Sequence, residues 1–508
     1  MPITVLRTKN GILDEQDVTS LEDLRQRLTA SGKSRKVMLY LHGGLVDQSS
    51  AETVAARLSS NGELALNAPE DWEQIYIVWR TGFSETLRTN WTDLLDNDRL
   101  YKALFKRLIA YVGEKILAGE SIGRGAGAGS QLTDREIKKA ITSGSDAPFR
   151  QLDDALAASS ARPPFQDVSD RDIEAELGAT LEKDRDLGIV TSDINTYIAE
   201  KTNDRSRAAF TGDDKAGKRE FDRVSDSVKA DWEAAGPSGR AQALERGGAI
   251  FSLVIHGVKI ASRVFQRLRA GRDHGVHATI AEEIAAELYG DLIGSSVWEM
   301  MTNDAVEHFS KSGLGGKLLE ALSSDPSTSL LVVGHSAGSI WATEFVEAGH
   351  RAGHTSPVSL LFLAPAVRVK RFASMLDKCQ NRIDKFQMFV MEDELERADV
   401  LLGSGYGYVY PSSLLYLVSG LFEHDGSSRL VDAPLLGMSR FLSQSIEWVT
   451  EPDEAASLAK VREFLAAKPD RVIRSETTPG SGLQSRSRTH GGFDDDADTI
   501  ASIASYML

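Results

Sequence analysis

The chain has 508 residues, 41% of them hydrophobic, which is enough for a sizeable core but long for one ordinary domain. A formal net charge of -16 argues against a nucleic-acid partner and against electrostatic docking on anionic membranes. The single cysteine, Cys379, excludes an intramolecular disulfide and a cysteine-based metal site.

The opening segment Met1 to Asn10 is too short and too polar for a signal peptide. No run of about 18 apolar residues occurs, so a cytoplasmic chain without a transmembrane span is the expectation. Residues 3–7 predict an edge strand. Thr19-Ser20-Leu21-Glu22 has the form of a capping box and predicts a short amphipathic helix to about Leu28. Lys36 to Leu41 is apolar almost throughout, as a strand buried on both faces would be, and runs straight into His42-Gly43-Gly44-Leu45. A helix near Ala51 to Leu58 and a second buried strand, Gln74 to Trp79, complete a strand–helix–strand opening typical of a parallel sheet.

From about Phe83 to about Gly271 no core strand is legible. This stretch is helix-like and charged, with a Gly/Ala/Ser-rich loop at Gly119 to Gly129. Its charge runs, Glu176 to Leu187 and Thr211 to Glu233, read as solvated helix surface. Near its end Phe251, Val254, Ile255, Val258, Ala261, Phe265 and Leu268 recur at helical spacing, predicting a helix over Ile250 to Leu268 that packs on the core. A helical stretch interrupted by glycines follows, from about Thr279 to Leu322.

Leu330-Leu331-Val332-Val333 then predicts a strand, Gly334-His335-Ser336-Ala337-Gly338 a tight turn, and Ser339 to Val346 a helix. Strands at Val358 to Leu363, Phe386 to Met391 and Arg471 to Arg474 alternate with helices at Ser412 to Phe422 and Thr499 to Met507. The fold class implied is α/β, a doubly wound, mostly parallel sheet flanked by helices, with a large mainly helical insertion. The divisions expected are 1–83 (first part of the core), 84–274 (insertion, a lid or partner-binding region) and 275–508 (second part of the core).

A strand, then G-x-S-x-G, then a helix presents a serine hydroxyl at the top of a sheet. His42-Gly43-Gly44 after one strand, this pentapeptide after another, an acidic loop after Met391 and a late histidine together resemble the α/β-hydrolase superfamily, over about 1–83 and 275–508. The spacing departs from the usual pattern, because about 290 residues separate Gly44 from Gly334. The resemblance implies a serine esterase or lipase-like hydrolase with a Ser-His-Asp triad and no metal or organic cofactor. Ser336 would be the nucleophile. The superfamily's order of serine, acid, histidine leaves His424 and His490 as bases, and the loop context favours His490. The acid lies among Glu392, Asp393, Glu394, Glu396 and Asp399. Asp393 is chosen for its place in the first turn after the strand, with Glu396 or Asp399 available to pair with Arg397. The backbones of Gly44 (or Leu45) and Ala337 would form the oxyanion hole, with His42 structural. Asp494, Asp495 and Asp496 read as the opening of the final helix. Tyr406, Tyr408 and Tyr410 read as aromatic packing against the core.

The expected substrate is a small-molecule or lipid carboxylic ester. A thioesterase, amidase or peptidase would use the same triad, and an interaction protein acting through its helical insertion is the reading of a different class.

Overall fold

The computed structural model describes residues 3–29, 36–44, 46–80, 87, 89, 91, 98–118, 132–158, 165–201, 214–235, 248–271, 274–290, 295–322, 328–401, 403, 407, 409–423, 432–443, 451–476 and 482–508. The expected loop at 119–129, together with Leu45, Tyr406, Tyr408 and His424, lies outside them.

Among the described residues eight strands form one sheet: β1 Ile3–Lys9, β2 Ile12–Leu13, β3 Lys36–Leu41, β4 Trp72–Trp79, β5 Ser329–His335, β6 Val358–Leu363, β7 Ile383–Val390 and β8 Val472–Arg474. Their spatial order is β2-β1-β4-β3-β5-β6-β7-β8. All neighbours are parallel except β1 and β2. Alternation along β3 divides the core by face. Val37, Leu39 and Leu41 join one apolar cluster, whereas Met38 and Tyr40 join the other. Helices Gln48–Leu58 and Ala497–Ser505 cover the second face through Leu58, Ile500 and Ile503.

The first-face cluster does not stop at the sheet. It continues into the helices between β4 and β5, through Leu104 on Arg99–Ala118, Ile194 on Arg185–Lys201 and Phe265 on Gly248–Arg269. Among the described residues this inserted stretch contains no strand, and no helix is long and apolar enough to cross a membrane.

Two local expectations are corrected. β1 is not the edge strand. Asn10 and Gly11, at φ 51° and 69°, turn the chain back into the two-residue β2, which takes the edge. An Asn-Gly pair is a hairpin signal of this kind. The first helix begins at Val18, ahead of the capping-box pattern, because Asp17 is held by the Arg7 main-chain N–H at 2.7 Å and its guanidinium at 2.8 Å.

The chain order fixes where the sheet opens. From β3 the chain proceeds to β4 on one side, and it returns to β5 on the other before building outward to β8. The connections therefore diverge between β3 and β5, and a crevice forms at their carboxyl ends. The parallel register pairs Leu41 with Gly334, so the segments leaving both strands emerge level with each other.

A buried ionic network ties the inserted helices to the core. Arg267, 0% exposed on helix Gly248–Arg269, contacts Glu282 at 2.5 Å, Glu283 at 3.0 Å and Asp432 at 3.5 Å. His274 bridges Glu282 at 2.9 Å and Asp432 at 3.2 Å. Tyr410 donates its hydroxyl to Glu282, which places this ring in the core. Removing one member leaves charges buried without their counter-ion, and that costs far more than the intact network contributes. Arg267→Met is expected to lower unfolding free energy by about 3–5 kcal/mol in a denaturant titration.

Candidate active site

Three segments meet at the crevice: His42-Gly43-Gly44 after β3, Ser336 after β5, and the turn His490–Gly492 before the last helix. Ser336 has φ 50°, a left-handed conformation that costs a residue with a β-carbon on the order of 1–3 kcal/mol. Its main chain is held on both sides. The N–H donates to Leu363 O at 2.8 Å, and the carbonyl accepts from Ser339 Oγ at 2.6 Å and from Ala366 N at 3.1 Å. The flanking glycines are sterically required. A β-carbon on Gly334 would lie 2.8 Å from the main chain of Gly338, and one on Gly338 would lie 2.6 Å from Leu41 O.

The segment after β3 packs directly on this turn. A β-carbon at Gly43 would come within 3.2 Å of Ser336 Cβ, and one at Gly44 within 3.2 Å of Ala337 Cβ and 2.7 Å of Met301 Sδ. Ala337 precedes helix Gly338–Arg351, where main-chain N–H groups have no carbonyl partner within the helix. The expected oxyanion residues, Gly44 and Ala337, thus pack against each other at the turn that carries Ser336. His42 is a strut. Its Nδ1–H donates to Gly43 O at 2.7 Å, and its Nε2 accepts from Trp79 N at 2.9 Å. Burial pushes its pKa down to about 4, in keeping with a neutral ring.

Ser336 Oγ lies 2.8 Å from His490 Nε2, and both residues are buried. With Nε2 accepting the hydroxyl proton, the ring carries its own hydrogen on Nδ1. The His490 peptide is gripped at both ends. Its N–H donates to Asp399 Oδ2 at 2.7 Å, and its carbonyl accepts from His335 Nε2 at 2.9 Å. Nδ1 has no hydrogen-bond partner among the described residues.

Asp393 is not brought to this histidine. Its carboxylate accepts from the Tyr416 hydroxyl and lies 3.9 Å from Arg440 Nε. The carboxylate at His490 is Asp399. Helix Asp393–Ala398 separates the two, and six residues at about 100° each turn them to different directions. Of the other carboxylates, Glu392 pairs with Arg474 at 3.1 Å. Glu396 is fully buried, which drives its pKa well above the carboxylate range. Arg397 pairs with Asp153 at 3.3 Å, leaving Asp399 for the histidine.

Burial pushes the His490 imidazole down to about 3, and the nearby His335 charge adds to the effect. Burial lifts Asp399 to about 6, opposed by the His490 N–H. At neutral pH the site therefore holds a neutral imidazole beside an ionised carboxylate, and on acidification its first proton goes to Asp399.

Sequence reasoning missed the second histidine–carboxylate pair. His335 Nδ1 lies 3.6 Å from Asp494 Oδ2. Asp496 alone caps the last helix, accepting from Thr499 N at 2.9 Å, which leaves Asp494 free to face the strand ends. The x of G-x-S-x-G carries no signal for such a role.

A cavity of about 340 Å³ opens elsewhere, on the insertion side of the acid helix, lined by Asp153, His274, His277, Glu394, Arg397 and Ser412. It does not contain Ser336. Compared with known proteins, the chain matches no family model, no curated protein and no solved structure.

An ionised carboxylate held at a raised pKa opposes folding. That penalty is absent below the unfolded value, grows as pH rises toward the folded value of about 6, and is complete above it. Asp399→Asn is expected to raise unfolding free energy by up to about 3 kcal/mol at pH 8, with the gain shrinking to nothing near pH 4. Denaturant melts of both proteins across that range check it.

Proposed function

We propose that the protein is a serine hydrolase of α/β-hydrolase type that cleaves a carboxylic ester through an acyl-enzyme. The observation that carries this reading is the 2.8 Å contact between Ser336 Oγ and His490 Nε2, made by a serine at φ 50° at the point where the sheet opens. Asp399, not Asp393, is the carboxylate at His490, and it fixes the base through its main-chain N–H rather than through ring Nδ1.

In the proposed reaction the Ser336 hydroxyl proton passes to His490 Nε2 as Oγ bonds to the ester carbonyl carbon. The carbonyl electron pair moves onto oxygen, which the N–H groups of Gly44 and Ala337 would receive. When the pair returns, the bond to the alcohol oxygen breaks and the His490 proton leaves with the alcohol. Water then adds to the acyl carbon with the same base and releases the acid and Ser336. An ester asks least of this site, because an alcohol is expelled more readily than an amine. Thioesters require no additional group, and amides and peptides require stronger protonation of the leaving nitrogen.

The test is a panel of chromogenic esters of graded chain length, with mass spectrometry of the quenched enzyme. The expected result is turnover with the acyl mass on the peptide bearing Ser336, and a loss of at least about 10³-fold in Ser336→Ala. Turnover unchanged in Ser336→Ala, or no turnover of any ester, thioester or amide by the folded protein, would overturn the reading. The acid limb of kcat/KM is expected near pH 6, where Asp399 protonates, with activity falling as pH falls through that value. A limb near pH 3 would assign it to His490 instead.

A further inference from the structure

His490 sits on a short turn, and its ring can meet Ser336 only if that turn is fixed against the end of β5. Two contacts do this through the His490 peptide itself. Asp399 takes the N–H from one side, and the ring of His335 donates Nε2–H to the carbonyl from the other at 2.9 Å. The tautomer of His335 follows from the partner, since a carbonyl can only accept. The His335 ring is in turn held at its far nitrogen, where Asp494 Oδ2 lies 3.6 Å from Nδ1.

Asp494 is itself anchored to β3 and to the helix that follows it. Tyr40 donates its hydroxyl to Asp494 Oδ2 at 3.3 Å, and Arg57 donates to the Asp494 main-chain carbonyl at 2.7 Å and pairs with Asp495 at 2.7 Å. The path from β3 to the base therefore runs Tyr40, Asp494, His335, His490. His335 and Asp494 are almost fully buried. Burial alone would lower the His335 pKa, but Asp494 outweighs it and raises the pKa overall. Asp494 is lowered in return, burial being outweighed by His335, Arg57 and Tyr40.

We propose that His335, held by Asp494, is a positioning residue that locks the His490 turn onto the strand end by hydrogen-bonding the His490 main-chain carbonyl. It touches neither substrate nor reacting atoms. Its location is economical, because the residue immediately before Ser336 also sets the position of the base. The two rings lie with their centres 5.8 Å apart. The inference rests on the hydrolase reading for its effect on rate, but its structural content does not.

The test uses the full chain with His335→Leu, His335→Gln and Asp494→Asn. Gln keeps an N–H donor at the position of Nε2, and Leu keeps only bulk. Active sites are counted by fluorophosphonate stoichiometry, so that loss of folded protein is not read as loss of rate. His335→Leu is expected to lower kcat per active site by about 10²-fold with KM changed little, as a misplaced base would. His335→Gln should recover most of that loss, and Asp494→Asn should fall between. Amide exchange over residues 489–493 should accelerate in His335→Leu and return toward wild type in His335→Gln. Unchanged exchange there in folded His335→Leu would overturn the proposal, as would equal kcat in Leu and Gln. The exchange readout needs no turnover, so it separates failure of this clamp from failure of the hydrolase reading. If His335→Leu does not fold, Asp494→Asn still decides it, since exchange over residues 489–493 in that variant matching wild type would contradict a clamp that depends on Asp494.

Discussion

The structure turns on one close approach. The chain leaving β5 must reverse into a helix while passing within van der Waals distance of the end of β3. No β-carbon fits at Gly334 or Gly338, and the residue between them takes a left-handed backbone. This constraint lifts Ser336 out of the sheet and sets it beside Gly43, with Ala337 beside Gly44. Because β3 and β5 are neighbours whose chain connections run in opposite directions, the same approach falls where the sheet opens. The remaining groups are arranged around a serine whose position is already fixed.

Much of this was legible in the sequence, for definite reasons. Strands buried on both faces leave continuous apolar runs, so β3, β4, β5 and β6 could be read within a residue or two. The pentapeptide names its serine because steric exclusion at two glycines is a property of residue type alone. The residue that meets Ser336, His490, was legible through chain order, once the resemblance supplied that order. The carboxylate beside that histidine was not. Five carboxylates follow β7, and which of them reaches the histidine depends on a short helix that turns Asp393 toward Tyr416 and leaves Asp399 at its end. The contact between His335 and Asp494 joins residues far apart in the chain, and no local pattern encodes it. The hairpin at Asn10-Gly11 was legible by its turn chemistry and hidden only by the shortness of β2.

The site also carries a cost that the rest of the fold offsets. A left-handed serine, a neutral buried imidazole and a carboxylate raised to about 6 are each unfavourable to folding. They sit against a core that extends without interruption from the sheet into the inserted helices. The insertion therefore contributes packing to the body that holds the site, and Arg267 and its carboxylates fix its last helix to that body. The serine itself is 2% exposed.

The central claim is that His490 activates Ser336. It is tested most directly by the rate at which a fluorophosphonate labels Ser336 in the wild-type protein and in His490→Ala, each confirmed folded. The account predicts rapid labelling at Ser336 in the first, and labelling slower by at least about 10³-fold in the second. Equal rates in the two, or no labelling of the folded wild type, would contradict it.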